Sequence, residues 1–117
     1  MRFRARGRTN GRKTGMNRTE AEHGAGLAAR KQVGLIREYS FERVTLKLAD
    51  DTRYTPDFMV MMPDGLIEFH EVKGGAGFED DALVKIKVAA EMFPQFVFRS
   101  FTKKAKKHGG GWAEREF

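Results

Sequence analysis

A chain of 117 residues can build one modest hydrophobic core and is too short for two. It contains no cysteine, which removes disulfides and thiolate metal sites, and no apolar run suited to a membrane span or a secretory leader, so the expected setting is the cytoplasm. The net charge of +6 sits at the ends: residues 1–15 hold six Lys or Arg and no acid, residues 103–107 hold four lysines, and residues 16–102 hold eleven basic against fourteen acidic side chains. A slightly acidic body with cationic margins suits a polyanionic partner held from its edges; the same ends would also serve solubility alone.

Residues 1–16 have too few apolar side chains to join a core and read as a free basic arm. Its Arg2, Arg4, Arg6, Arg8, Arg12 and Lys13 would grip phosphates without specifying sequence. From Asn17 to Gln32 the composition predicts a helix that Gly24 and Gly26 weaken and Gly34 stops. Asn17 with Glu20 has the capping-box spacing, which by itself accounts for Glu20. Gly24 and Leu27 follow Glu20 at +4 and +7 with His23 at +3, whereas Glu22 lies about 200° away around the helix. Leu35 to Leu48 alternates in the manner of one or two strands, with Val44, Leu46 and Leu48 on one face, and Asp50-Asp51-Thr52 is a turn.

Tyr54 to Lys73 is the most informative stretch. Residues 58–62 are apolar without interruption, the pattern of a buried strand, and Pro63-Asp64-Gly65 then reverses the chain. In the returning strand Ile67, Phe69, Glu71 and Lys73 share one face, and Glu68, His70 and Val72 the other. A carboxylate and an ammonium ending a buried strand are costly unless they have a task or a partner. Asp57, entering the neighbouring strand, is placed to meet them. Converging carboxylates repel, and a hard divalent cation held by oxygen is the usual remedy; an adjacent lysine can position a water or steady a phosphate. The combination predicts a phosphodiester-cleaving centre.

Gly74 to Gly77 allows close approach to a ligand or a simple flexible connection; it lacks the lysine pattern of a nucleotide-binding P-loop. Glu79, Asp80 and Asp81 suit a helix N-terminus, and Leu83, Ile86, Ala90 and Phe93 form the buried stripe of a helix running from about residue 80 to Phe93. Lys85 and Lys87 interrupt that stripe, as solvated lysines or as phosphate contacts. Pro94 closes the helix, and Gln95 to Phe101 alternates as a last strand with parallel pairing. Residues 103–117 read as a basic, glycine-rich tail bearing Lys103, Lys104, Lys106, Lys107 and a Trp112 that packs back or meets a partner. His23, His70 and His108 have no metal-ligand spacing and are expected to be structural or exposed. The sum is an α/β protein with a single domain over residues 17–102, a central mixed β-sheet flanked by helices.

Pro56-Asp57 followed fourteen positions later by Glu71-Val72-Lys73, in the order acid, turn, E-x-K strand, Gly-Gly, helix, resembles the PD-(D/E)XK signature of restriction-endonuclease-like nucleases. From Asn17 to Phe117 the chain is similar to small phage and prophage endonucleases of that superfamily in its T-E-A-E, Y-T-P-D-F, E-F-H-E-V-K-G, V-K-I-K-V-A-A-E and G-G-G-W segments. The resemblance implies a restriction-endonuclease-like fold in which Asp57 and Glu71 hold Mg²⁺, with Mn²⁺ substituting. It also implies an acid on the first helix that reaches the metal; Glu20 fits that place best and Glu22 second. Lys73 would orient or activate the attacking water, and Lys85 or Lys87 would approach the scissile phosphate. The implied activity is DNA endonuclease, with Holliday junction resolvases of phage recombination as the nearest functional relatives and a homodimer as the form that cuts two strands. No base-reading element is evident, so selectivity for branched or otherwise non-B-form DNA is expected over sequence. The rival is a non-catalytic nucleic-acid-binding module, with the acids in ion pairs and the basic ends on the nucleic acid.

Overall fold

The computed structural model describes residues 2–3, 15–75 and 80–117, with the backbone alone for residues 2–3. In chain order the elements are β1 (Arg2–Phe3), α1 (Arg18–Gln32), β2 (Glu38–Phe41), β3 (Val44–Ala49), β4 (Thr52–Tyr54), β5 (Phe58–Met61), β6 (Ile67–Lys73), α2 (Asp80–Met92), β7 (Val97–Lys103), a 3-10 turn (Lys106–His108) and β8 (Trp112–Glu116). Five strands form a mixed sheet in the order β2-β5-β6-β7-β8, parallel only between β6 and β7. A smaller antiparallel sheet has the order β1-β3-β4.

The central hairpin forms for the reason its sequence suggests. Asp64 Oδ1 accepts the Leu66 N–H at 2.9 Å, Gly65 takes φ +92°, and Met62 and Leu66 close the turn, fixing Met61 opposite Ile67 and Phe58 opposite His70. Because that register is fixed, the two faces of β6 are fixed too. One face turns Phe69 into a core with Leu46, Tyr54, Phe98, Ile86 and Ala89, against α2 and the small sheet. The other turns Val72 into a core with Phe58, Val60, Leu27 and Ile36, against α1. The helices thus cover opposite faces of the sheet.

Helix α1 begins at a complete capping box: Asn17 Oδ1 accepts the Glu20 N–H at 2.8 Å and Glu20 Oε1 accepts the Asn17 N–H at 2.9 Å. Glu20, His23, Gly24 and Leu27 are its buried residues, all on the one stripe. Gly24 is small where the helix presses closest: a Cβ there would stand 3.4 Å from the Phe58 ring. In α2, Ile86 and Ala89 are buried, and Leu83, Ala90 and Phe93 pack beside them.

Two segments differ from their sequence readings. Residues 103–117 are not a tail. Their β8 pairs antiparallel with β7 from Arg99 opposite Glu116 to Lys103 opposite Trp112, and adds a fifth strand to the sheet. The lysine and glycine run read as part of a tail is the connection of a hairpin, and the alternation of W-A-E-R-E was too short and too charged to announce a strand. At the other end Arg2–Phe3, expected to start a free arm, pair with β3 through Arg2 opposite Thr45 and Phe3 opposite Val44, filling that strand's open edge. Met16 packs on the α1-side core. Arg4, Arg6, Arg8, Arg12 and Lys13, and the side chain of Arg2, lie outside the described residues.

A candidate active site at the end of the central strands

Antiparallel register does the assembly. One step beyond the Phe58–His70 pair, Asp57 comes opposite Glu71, and Lys73 lies two residues further along the same face. Two backbone contacts hold the approach to β5: the Glu42 N–H donates to the Asp57 carbonyl at 2.8 Å, with Glu42 at φ +50°, and Asp57 Oδ2 accepts the Val72 N–H at 2.8 Å. Glu71 Oε1 accepts from the Tyr54 hydroxyl at 2.7 Å, and Glu71 Oε2 lies 3.2 Å from Lys73 Nζ. Asp57 and Glu71 are 9 % and 6 % exposed.

Two carboxylates so placed resist ionising together. Burial, then the charge of Glu71, pushes the Asp57 carboxyl up to about 8; Glu20 adds to this, while the Val72 N–H and Lys73 oppose it. Glu71 is also raised, by burial first, against the pull of the Tyr54 hydroxyl and Lys73. The Tyr54 phenol is driven well above its ordinary range by burial, then by Glu71 and Asp57, so it stays a hydrogen-bond donor. A polar cavity of about 320 Å³ opens beside Glu71, lined by Arg53, Tyr54, Thr55, Asp81, Ala82 and Lys85.

The sequence-derived residues therefore separate. Asp57, Glu71 and Lys73 come together. Glu20 is buried at 7 % and its charge reaches both carboxyls, while its Oε1 serves the α1 cap. Glu22 is exposed and bonded to Lys103. Lys85 lines the cavity 3.5 Å from Asp81, whereas Lys87 is exposed. His108 is exposed, while His23 and His70 are buried on the α1 side and bonded to each other, His23 Nε2 to His70 Nδ1 at 3.0 Å. His70 Nε2 lies 3.0 Å from Glu68 Oε1, and Arg99 joins Glu68 to Glu114 and Glu116. Burial, then His70 and Arg30, lower the His23 pKa to about 3; Glu68 is lowered by its hydrogen bond from His70. Sequence reasoning missed Tyr54, although the residue opens the Y-T-P-D-F segment; its bond to Glu71 spans 17 positions and two strands.

Among the described residues no group of three or more His, Asp or Glu side chains stands close enough to hold a metal ion. The donors that do converge are two buried carboxylates, a hard oxygen pair. Such a pair suits Mg²⁺, which keeps most of its water and takes one or two carboxylates, better than Zn²⁺ or Ca²⁺, which gather more protein ligands. Comparisons of the chain with protein-family models, with curated proteins and with solved structures found no match. No helix of the described residues is long and apolar enough to cross a membrane.

Proposed function

We propose that the protein is a Mg²⁺-dependent DNA endonuclease of the PD-(D/E)XK type with a restriction-endonuclease-like fold. The observation that carries this reading is the buried Asp57–Glu71 pair, each carboxyl raised by burial and by acid neighbours, with the Lys73 ammonium on Glu71. Ion pairing alone would call for one acid and one base, not a second buried acid. Asp57 and Glu71 would hold the cation, with Mn²⁺ accepted in place of Mg²⁺, and Glu20 would join them by turning from Asn17 or through a water. The bound cation would supply Lewis-acid polarisation of the phosphate and a water of lowered pKa.

The chain's own groups have separable tasks. Tyr54 fixes one Glu71 oxygen by donating to it, and the Val72 N–H fixes one Asp57 oxygen. Lys73 orients the attacking water and offsets charge growing on the phosphoryl oxygens; Lys85, on the cavity wall, brings a second cation to the same phosphate. Selectivity follows DNA shape, with branched DNA of the Holliday junction type as the substrate and a homodimer supplying two sites for paired cuts. A phage or prophage recombination setting and a cytoplasmic location in the host fit that activity.

The test is a panel of labelled four-way junction, flap, linear and supercoiled DNA with Mg²⁺, with Mn²⁺ and with EDTA, comparing the wild type with Asp57→Asn and Glu71→Gln. Metal-dependent cutting lost in both variants is expected. DNA binding without cutting under every condition would replace this reading with that of a non-catalytic binding module.

A further inference from the structure

The connection between β7 and β8 is a built structure. Lys104 N–H donates to the Gly111 carbonyl, His108 and Gly110 N–H groups both donate to the Ala105 carbonyl, and Gly109 N–H donates to that of Lys106, all at 2.9 to 3.0 Å. Gly109, Gly110 and Gly111 take φ of +94°, +64° and +71°, three successive left-handed residues that only glycine adopts without strain. The glycine run therefore sets a shape.

The hairpin projects from the end of the sheet that carries the carboxylate pair. β7 runs parallel to β6 with Thr102 opposite Lys73, and a Cβ on Gly75 would stand 3.7 Å from the Lys103 carbonyl. Its base is anchored: Lys103 Nζ bonds Glu22 of α1 and lies 5.1 Å from the centre of the Trp112 ring, which itself packs edge-on to His23. Beyond that anchor the cations are of another kind. Lys104, Lys106 and Lys107 are exposed, and among the described residues none of them makes an ion pair, a state shared with Lys87 of α2, while Lys31, Lys47, Lys85 and Lys103 each sit on a carboxylate. Residues 103–111 contain no acid.

We propose that this hairpin is a phosphate clamp that holds the DNA backbone beside the Glu71–Lys73 end of the sheet. The inference rests on the endonuclease reading for its ligand and gives that site its substrate-holding arm. Lys104, Lys106 and Lys107 provide three point charges on a preset loop, which fixes the position of a duplex flank without reading bases. Lys103 is a positioning residue, held by Glu22 and Trp112 and not offered to phosphate.

The experiment is fluorescence anisotropy of a labelled DNA duplex, a four-way junction and an RNA duplex, in EDTA, across a salt series. Wild type is compared with Lys104→Ala/Lys106→Ala/Lys107→Ala and with Lys31→Ala, which removes one cation near the opposite edge strand. The triple variant is expected to bind DNA about 10- to 100-fold more weakly, with the slope of log affinity against log salt lower by about 2 to 3. Lys31→Ala should match the wild type, and circular dichroism should show all three folded. Unchanged affinity and slope in the triple variant, or a clear preference for RNA, overturns the clamp. If Asp57-dependent cutting persists while the lysine variant binds as the wild type does, the clamp alone fails. If the variant loses DNA affinity while no protein cuts, the clamp stands and the endonuclease reading fails.

Discussion

Replacing Asp57 by Asn isolates the electrostatic cost built into the carboxylate pair. An ordinary aspartate has a pKa of 3.8, and Asp57 stands at about 8. Between those values the folded, metal-free protein retains a proton that the unfolded chain has released, so this group's contribution is complete below about pH 4. It falls by about 1.4 kcal/mol per pH unit as pH rises and levels off beyond 8, a total on the order of 5 kcal/mol. Asparagine has the same shape, keeps an oxygen for the Val72 N–H and carries no titrating proton. The stability of Asp57→Asn minus that of the wild type should therefore grow by about 1.4 kcal/mol per pH unit between pH 5 and 8 in EDTA, measured by urea unfolding followed by circular dichroism. Magnesium at about a hundred times its dissociation constant should restore about 2.7 kcal/mol to the wild type and nothing to the variant. Parallel pH profiles for the two proteins, or equal stabilisation of both by magnesium, would refute a strained carboxylate pair that a cation relieves.

Three further outcomes follow from neighbouring features. Tyr54→Phe removes the donor on Glu71 Oε1 and should cost about 1 to 3 kcal/mol in thermal or urea unfolding and weaken magnesium stabilisation; unchanged values in both would show that the hydroxyl does not support the carboxylate. His23, held at about 3, has the opposite sign to Asp57. Its contribution is complete above 6.5 and is lost as pH falls toward 3, so its ring resonances in NMR should stay those of a neutral imidazole above about pH 4, and a midpoint near 6.5 would contradict its packing against His70. Gly26→Ala, at an exposed helical position with open space around the new Cβ, should stabilise by about 0.5 to 1 kcal/mol, read as a raised unfolding midpoint.

The central hairpin, both helices and the parallel return of β7 were legible because each rests on a local signal: a Pro-Asp-Gly turn, a capping box, apolar stripes of the right period. The meeting of Asp57 with Glu71 was legible for the same reason, since a short turn fixes the register and the register fixes the face. What escaped depended on distance or on burial that no pattern announces. Tyr54 joins Glu71 across two strands. The His23–His70–Glu68 chain links α1 to β6 through side chains 47 positions apart, each of which looks ordinary alone. β8 was missed because an outermost strand needs no second apolar face, and Trp112 gave the only hydrophobic hint at its start. Glu20 satisfies the cap and the electrostatic argument at once, so sequence reasoning could name both roles without separating them.

Among the described residues strand β8 is the outermost of the sheet, with one side of its backbone unpaired, a ready template for another chain. Two molecules meeting there about a two-fold axis normal to the sheet would set Arg115 against Arg115 and Glu114 against Glu116, or Glu114 against its own counterpart. Such mutual repulsion discourages the molecules from knitting into a continuous ribbon at high concentration. It also directs any twofold assembly about such an axis to form through another surface.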